Sequence, residues 1–104
     1  MSERMGTVDY RPEPIDTSDV RLPEDLLGLV EHLAENVHEH WARQRLAEGW
    51  RLGPQRDQFR REHPCLVPYA ELPEEEKRYD RQTAIETLKA IVQLGYQIRR
   101  ESAP

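Results

Sequence analysis

Six arginines fall between Arg43 and Arg61, at positions 43, 45, 51, 56, 60 and 61, against only Glu48 and Asp57 in the same stretch. A guanidinium presents a planar fork of N–H donors that matches a phosphate or carboxylate. The whole chain nevertheless carries a net charge of −5. One arginine-rich patch on an acidic protein points to a small anionic partner and away from a long nucleic acid, which calls for a basic face. Arg56 and Arg45 are the candidate anion contacts, with Arg81 a further cation downstream. Asp57 and Asp80 are carboxylates able to accept hydrogen bonds from ligand hydroxyls. Trp50 and Tyr69 offer planar faces on which a base can stack. Plainer roles stand beside each of these. Arg56 and Asp57 are adjacent and can pair with each other, the patch can pair with the acidic run Glu71, Glu74, Glu75 and Glu76, and each aromatic can be core.

Catalytic chemistry has less to work with. His63 and Cys65 flank Pro64 and would share a side of an extended path, but no third group is in place to orient them. His38 and His40 are two apart on a helix and point to different faces, so they cannot jointly hold a metal. His32 shares a face with Glu35 and Glu39, the pattern of a solvated charged stripe. The sequence has neither G-x-x-x-x-G-K-[ST] nor G-x-G-x-x-G. No enzymatic activity, no metal and no cofactor is expected.

These side chains need elements to position them. The stretch Gly49–Tyr69 lacks helical periodicity, yet it holds Trp50, Phe59, Tyr69 and the run Cys65-Leu66-Val67, with prolines at 54, 64 and 68. Disordered segments are poor in such residues, so an ordered, irregular platform is the expectation. A helix precedes it. Pro23 suits a first helical position, apolar residues recur at Leu26, Leu27, Val30, Leu33, Ala34, Val37, Trp41 and Ala42, and Gly49 supplies a stop. Gly28, inside that helix, is read as a mark of close packing. A second helix begins at Pro73 and buries Tyr79, Ala84, Ile85, Leu88, Ile91, Val92 and Leu94 before Gly95, with a break expected near Asp80–Gln82. The two are expected to pack antiparallel with Trp41 and Leu88 near the shared core. Tyr96-Gln97-Ile98 reads as a short strand returning beside the platform. Prolines 12 and 14 make residues 10–22 an extended arm, tacked down by Ile15, Val20 and Leu22.

A chain of 104 residues with 37% hydrophobic and 34% charged content has room for one modest core. Cys65 is the only cysteine, which rules out an internal disulfide and fits a reducing compartment. Met1–Tyr10 lacks the apolar core of a secretion signal, and no apolar run approaches the roughly 18 residues of a membrane span. A cytoplasmic protein without membrane contact is the reading.

A series of motifs in this order, W-A-R-Q-R-L-A-E-G-W-R-L-G-P-Q-R-D (41–57), H-P-C-L-V-P-Y (63–69), L-P-E-E-E-K (72–77), Y-D-R (79–81) and E-T-L-K-A-I-V-Q-L-G-Y-Q-I (86–98), resembles the ryanodine receptor repeat, or RyR domain. The resemblance covers about residues 32 to 98. It implies a mainly α fold, two long antiparallel helices joined by an ordered irregular loop with short strands. The expected division is an extended arm over 1–22, the domain over 23–98 and a tail over 99–104. In ryanodine receptors such repeats occur as tandem pairs related by approximate two-fold symmetry, in the cytosolic part of a calcium-release channel and apart from its pore. A single repeat without a membrane span is expected to lack the calcium-release role, and a homodimer is its natural counterpart to a tandem pair. Stand-alone members are proposed sensors of nucleotide-derived signals. The resemblance therefore implies a non-enzymatic module binding a nucleotide or nucleotide-derived messenger, with Arg45, Trp50, Arg56, Asp57, Tyr69, Asp80 and Arg81 as candidate contacts. The alternative is a structural interaction and dimerisation module whose loop residues only brace the fold.

Overall fold

The computed structural model describes residues 9–101. Its elements are a single helical turn α1 (Glu24–Leu27), helix α2 (Val30–Ala47), strands β1 (Arg51–Leu52) and β2 (Glu62–His63), a 3-10 turn (Tyr69–Glu71) and helix α3 (Glu74–Gln93). The fold is mainly helical, as the sequence predicts.

Both long helices stop at glycine for the same physical reason. Gly49 has φ 91° and Gly95 has φ 102°, a region that costs a side chain dearly. At the first stop, Trp50 N donates to Arg45 O at 3.0 Å and Gly49 N to Leu46 O at 3.1 Å. At the second, Tyr96 N donates to Ile91 O and Gly95 N to Val92 O. This is the paired bonding of a Schellman motif, which satisfies carbonyls the helix leaves open. It also folds the residue after the glycine back over the last turn, and in α2 that residue is Trp50.

Several finer expectations are corrected. The first helix is not continuous, because a turn at Gly28–Leu29 separates α1 from α2. Gly28 keeps right-handed angles (φ −66°, ψ −18°), and the nearest atom to a Cβ there would be Asp25 O at an ordinary 3.4 Å. It weakens the helix by its low propensity and not through a close neighbour. Pro23 and Pro73 sit one position earlier than read, as N-caps with ψ near 150°. Pro73 O accepts from both Glu76 N and Lys77 N, which opens α3. No break occurs at Asp80–Gln82; α3 runs 20 residues without interruption. Thr87 Oγ1 donates to Thr83 O at 2.8 Å, so its hydroxyl is satisfied inside the helix and has no reason to open it. Tyr96–Ile98 forms no strand. Ile98 packs instead against the helix pair.

The core lies in two patches, one between α2 and α3 and one between α2 and the segment around the 3-10 turn. Val30, Ala84 and Leu88 form one, flanked by Leu22, Leu33, Ile85 and Ile98. Ala34, Tyr69 and Leu72 form the other, flanked by Cys65 and Val67. Leu88 is thus core, whereas Trp41 belongs to neither patch. The α2 positions that bury most deeply are Val30, Ala34 and His38, four residues apart. His38 Nε2–H donates to Val67 O at 2.7 Å, tying the platform to the helix. In the N-terminal arm, Ile15 is exposed. The anchor is Thr17, 7% exposed, whose hydroxyl donates to Glu86 Oε1 on α3 at 2.7 Å.

Candidate functional site

The platform between Gly49 and Tyr69 is built by backbone pairing over very few residues. β1 and β2 run parallel, with Arg51 opposite Glu62 and Leu52 opposite His63. Arg51 N donates to Arg61 O at 2.8 Å and Gly53 N to His63 O at 3.3 Å. Between the strands, Asp57 and Glu62 exchange backbone bonds at 2.9 and 3.0 Å. The Asp57 carboxylate then accepts from Phe59 N and Arg60 N, both at 3.0 Å, the side-chain-to-backbone bonding that favours Asp in turns. Arg61 holds φ 54°, an uncommon angle for a non-glycine residue. Its Nη1 donates to Glu48 O, placing a cation at the negative end of α2.

On this frame the side chains separate into two groups. The first surrounds His63. Trp41 meets its ring edge-on at 4.9 Å between centroids, and Trp50 lies at 6.4 Å, tilted. The Arg45 guanidinium sits over Trp50, 5.3 Å from the ring centroid, a cation–π contact set up by the Schellman turn that brings residue 50 back over residue 45. His63 Nδ1 accepts from Cys65 N at 3.0 Å. Burial pushes the imidazole pKa below its usual 6.5, the charges of Arg56 and Arg45 push it the same way, and Glu76 opposes them. His63 is therefore held neutral, with its proton on Nε2. Arg45 and Trp50 are thus brought together beside one imidazole.

The second group braces the helices. Arg81 makes a two-pronged pair with Glu31 on α2, at 2.7 Å through Nε and 3.0 Å through Nη2, and reaches Glu74 at 3.3 Å. These carboxylates hold its pKa well above the usual arginine range. The Tyr69 hydroxyl donates to the same Glu31 at 3.1 Å. Tyr69 is 5% exposed, with Lys77 over its ring at 5.5 Å and His38 at 6.3 Å. No face of Tyr69 is open for stacking. Asp80 is half-buried beside the same cluster; burial pushes its carboxyl up, His38 pulls it down and Glu76 adds to the rise. Asp57 stands apart from both groups as the anchor of its turn.

The plainer readings of the arginine patch are corrected too. Arg56 does not pair with Asp57, whose ion partner is Arg60 at 3.8 Å. Nor does the patch meet the acidic run. Among the described residues, Arg45 pairs with Glu48 and Arg51 with Glu62, while Glu74 pairs with Lys77 and Arg81. Arg56 is exposed and has no ion-pair or hydrogen-bond partner among the described residues. Two residues of consequence escaped the sequence reading. His38 falls on the buried face at i, i+4 from Ala34, a spacing that signals it. Phe59 is 101% exposed, and nothing in the sequence signals that.

Among the described residues, His63 and Cys65 do not form an activated nucleophile. His63 receives the Cys65 backbone N–H and not its thiol, and burial, Glu76 and Asp80 all push the thiol pKa up, which keeps it protonated and poorly nucleophilic. Among the described residues, no group of three His, Cys, Asp or Glu is placed to hold a metal, and no helix is long and apolar enough to cross a membrane.

With the pairing of Trp50 and Arg45 fixed by the glycine stop, the W-R-L-G-P-Q-R-D stretch has a defined geometry, and it lies within the span that a family model matches. The RyR domain model matches residues 10–100. This chain belongs to the RyR domain family. The match takes in the N-terminal arm, whose Thr17 is bonded to α3, as well as the platform and both long helices.

Proposed function

We propose that this RyR domain is a non-enzymatic recognition module for a small anionic ligand, a nucleotide or nucleotide-derived messenger, taken up on the face formed by Arg45, Trp50 and Arg56. One observation carries the reading: Arg56 has no carboxylate partner among the described residues, whereas Arg45 is already paired with Glu48. An unpaired guanidinium on the same platform as an indole suits a phosphate attached to a planar base. Asp57, Tyr69, Asp80 and Arg81 act in this reading as supports that hold the platform and helices in register. The free, protonated Cys65 thiol fits residence in the cytoplasm.

Calorimetric titration with nucleoside mono-, di- and triphosphates and cyclic nucleotides tests the proposal. Arg56→Ala should weaken the strongest binder by about 10- to 100-fold, since hydrogen bonds to charged groups contribute about 1.5–3 kcal/mol. Its melting temperature should not change. Folded wild-type protein that responds to no member of the panel sinks the reading.

A second reading, an interaction and dimerisation module without a small ligand, draws support from the internal engagement of Tyr69, Asp57 and Arg81. It expects Arg56→Ala to leave every small-molecule titration flat while altering association with a protein.

A further inference from the structure

The N-terminal arm does more than lie on the helices; it walls a concavity. Val20 N donates to Thr17 O at 3.0 Å, a turn that sets residues 18–22 beside α1 and α3. The space they border is about 560 Å³, within the usual range for a small-molecule site. Its apolar lining is Val20, Leu22, Leu27 and Ile85. Leu22 and Ile85 also pack against Val30, Ala84 and Leu88, so the floor is continuous with the core. Leu27 is 47% exposed, an apolar rim left facing water.

The charges in this lining are unbalanced for an identifiable reason. Lys89 lies one turn after Ile85 and three residues after Glu86, the carboxylate with which a helix would ordinarily pair it. Both oxygens of Glu86 are engaged elsewhere: Oε1 accepts from the Thr17 hydroxyl at 2.7 Å and Oε2 from Gln82 at 3.4 Å. Lys89 is half-buried and, like Arg21, has no ion-pair or hydrogen-bond partner among the described residues. Against these two cations the lining holds one carboxylate, Asp19, and the Ser18 hydroxyl is taken by Asp16 at 2.7 Å. An excess of one positive charge above an apolar floor suits one negative charge carrying an apolar tail. A polyphosphate would bring more charge than the site matches, and among the described residues no aromatic lines it for a base to stack on.

We infer that this concavity binds a small amphiphilic monocarboxylate, its head taken by Lys89 and Arg21 and its alkyl chain laid along Leu22, Leu27 and Ile85. The site shares no residue with the face of Arg45, Trp50 and Arg56 and does not depend on what that face binds. The Thr17 bond gives the arm a role in it: by holding Glu86, it keeps Lys89 available.

An amide NMR titration of the full chain with octanoate tests the inference, with acetate as the head-only control and 1-octanol as the chain-only control. Octanoate should give saturable shifts at Arg21, Leu22, Leu27, Ile85 and Lys89, and should bind about tenfold more tightly than either control. Lys89→Gln should weaken octanoate by about tenfold, the scale of one lost hydrogen bond between charged groups, with melting temperature unchanged. Arg56→Ala should bind octanoate like the wild type, which separates failure here from failure of the anion face. Absence of saturable shifts at these residues overturns the inference. So does octanol that binds as tightly as octanoate, the mark of a merely apolar patch, or a Lys89→Gln variant with undiminished affinity.

Discussion

His63 shows how one side chain's chemistry follows from its neighbours. Its Nδ1 must stay unprotonated to accept the Cys65 amide, and burial beside Arg56 and Arg45 enforces that state. Because its folded pKa lies below 6.5, the unfolded chain takes up a proton first as pH falls. Stability is complete above 6.5 and is lost as pH drops from there through the folded pKa. Melting temperature should fall over that window, and His63→Asn should flatten that part of the slope. Ring ¹⁵N shifts near neutral pH should report an unprotonated Nδ1. At this scale residue types were legible and their surroundings were not. Arg45 and Trp50 could be picked out by type, and these two do meet. Tyr69 and Arg81 are the same kinds of residue, yet both are committed to Glu31, a partner 38 and 50 positions away that no local pattern reveals.

Among the elements, the platform depends on a missing Cβ. A methyl on Gly53 would run into the Glu62 side chain, just where β1 and β2 pair. Gly53→Ala should destabilise the fold by about 1–3 kcal/mol, the usual cost of overpacking, as read by urea unfolding. Ala34 is 0% exposed beneath Tyr69 and Leu72, and Ala34→Leu should cost a similar ~1–3 kcal/mol. The clamp between the helices behaves differently. Arg81→Gln should lower the melting temperature, less so in high salt, and combining it with Glu31→Gln should cost less than the two separate losses summed. The helix stops at Gly49 and Gly95 were legible because positive φ selects glycine locally. The unbroken course of α3 past Asp80 was not, because it is held by tertiary contacts: Arg81 to Glu31, and the buried Ala84 and Leu88 one and two turns on. Residues 96–98 alternate like a strand, but Ile98 docks on the helix pair instead.

Across the whole molecule, the two core patches and the clamp give a frame on which a short parallel pair holds Trp50, His63 and Arg56 in place. The family was legible from the ordered series of motifs, and the RyR domain match over residues 10–100 bears it out. The match includes the proline-bearing arm from residue 10, and Thr17 bonds that arm to α3. The central claim is that the face around His63 receives an anion. Its most direct test is an amide and indole NMR titration of the full chain with the nucleotide panel and with inorganic pyrophosphate. The account predicts saturable shifts at the Trp50 indole N–H, Gly53, Arg56 and His63, abolished in Arg56→Ala. Shifts confined to the separate concavity between Leu26, Leu29 and Ile98, or none with any ligand, would contradict it.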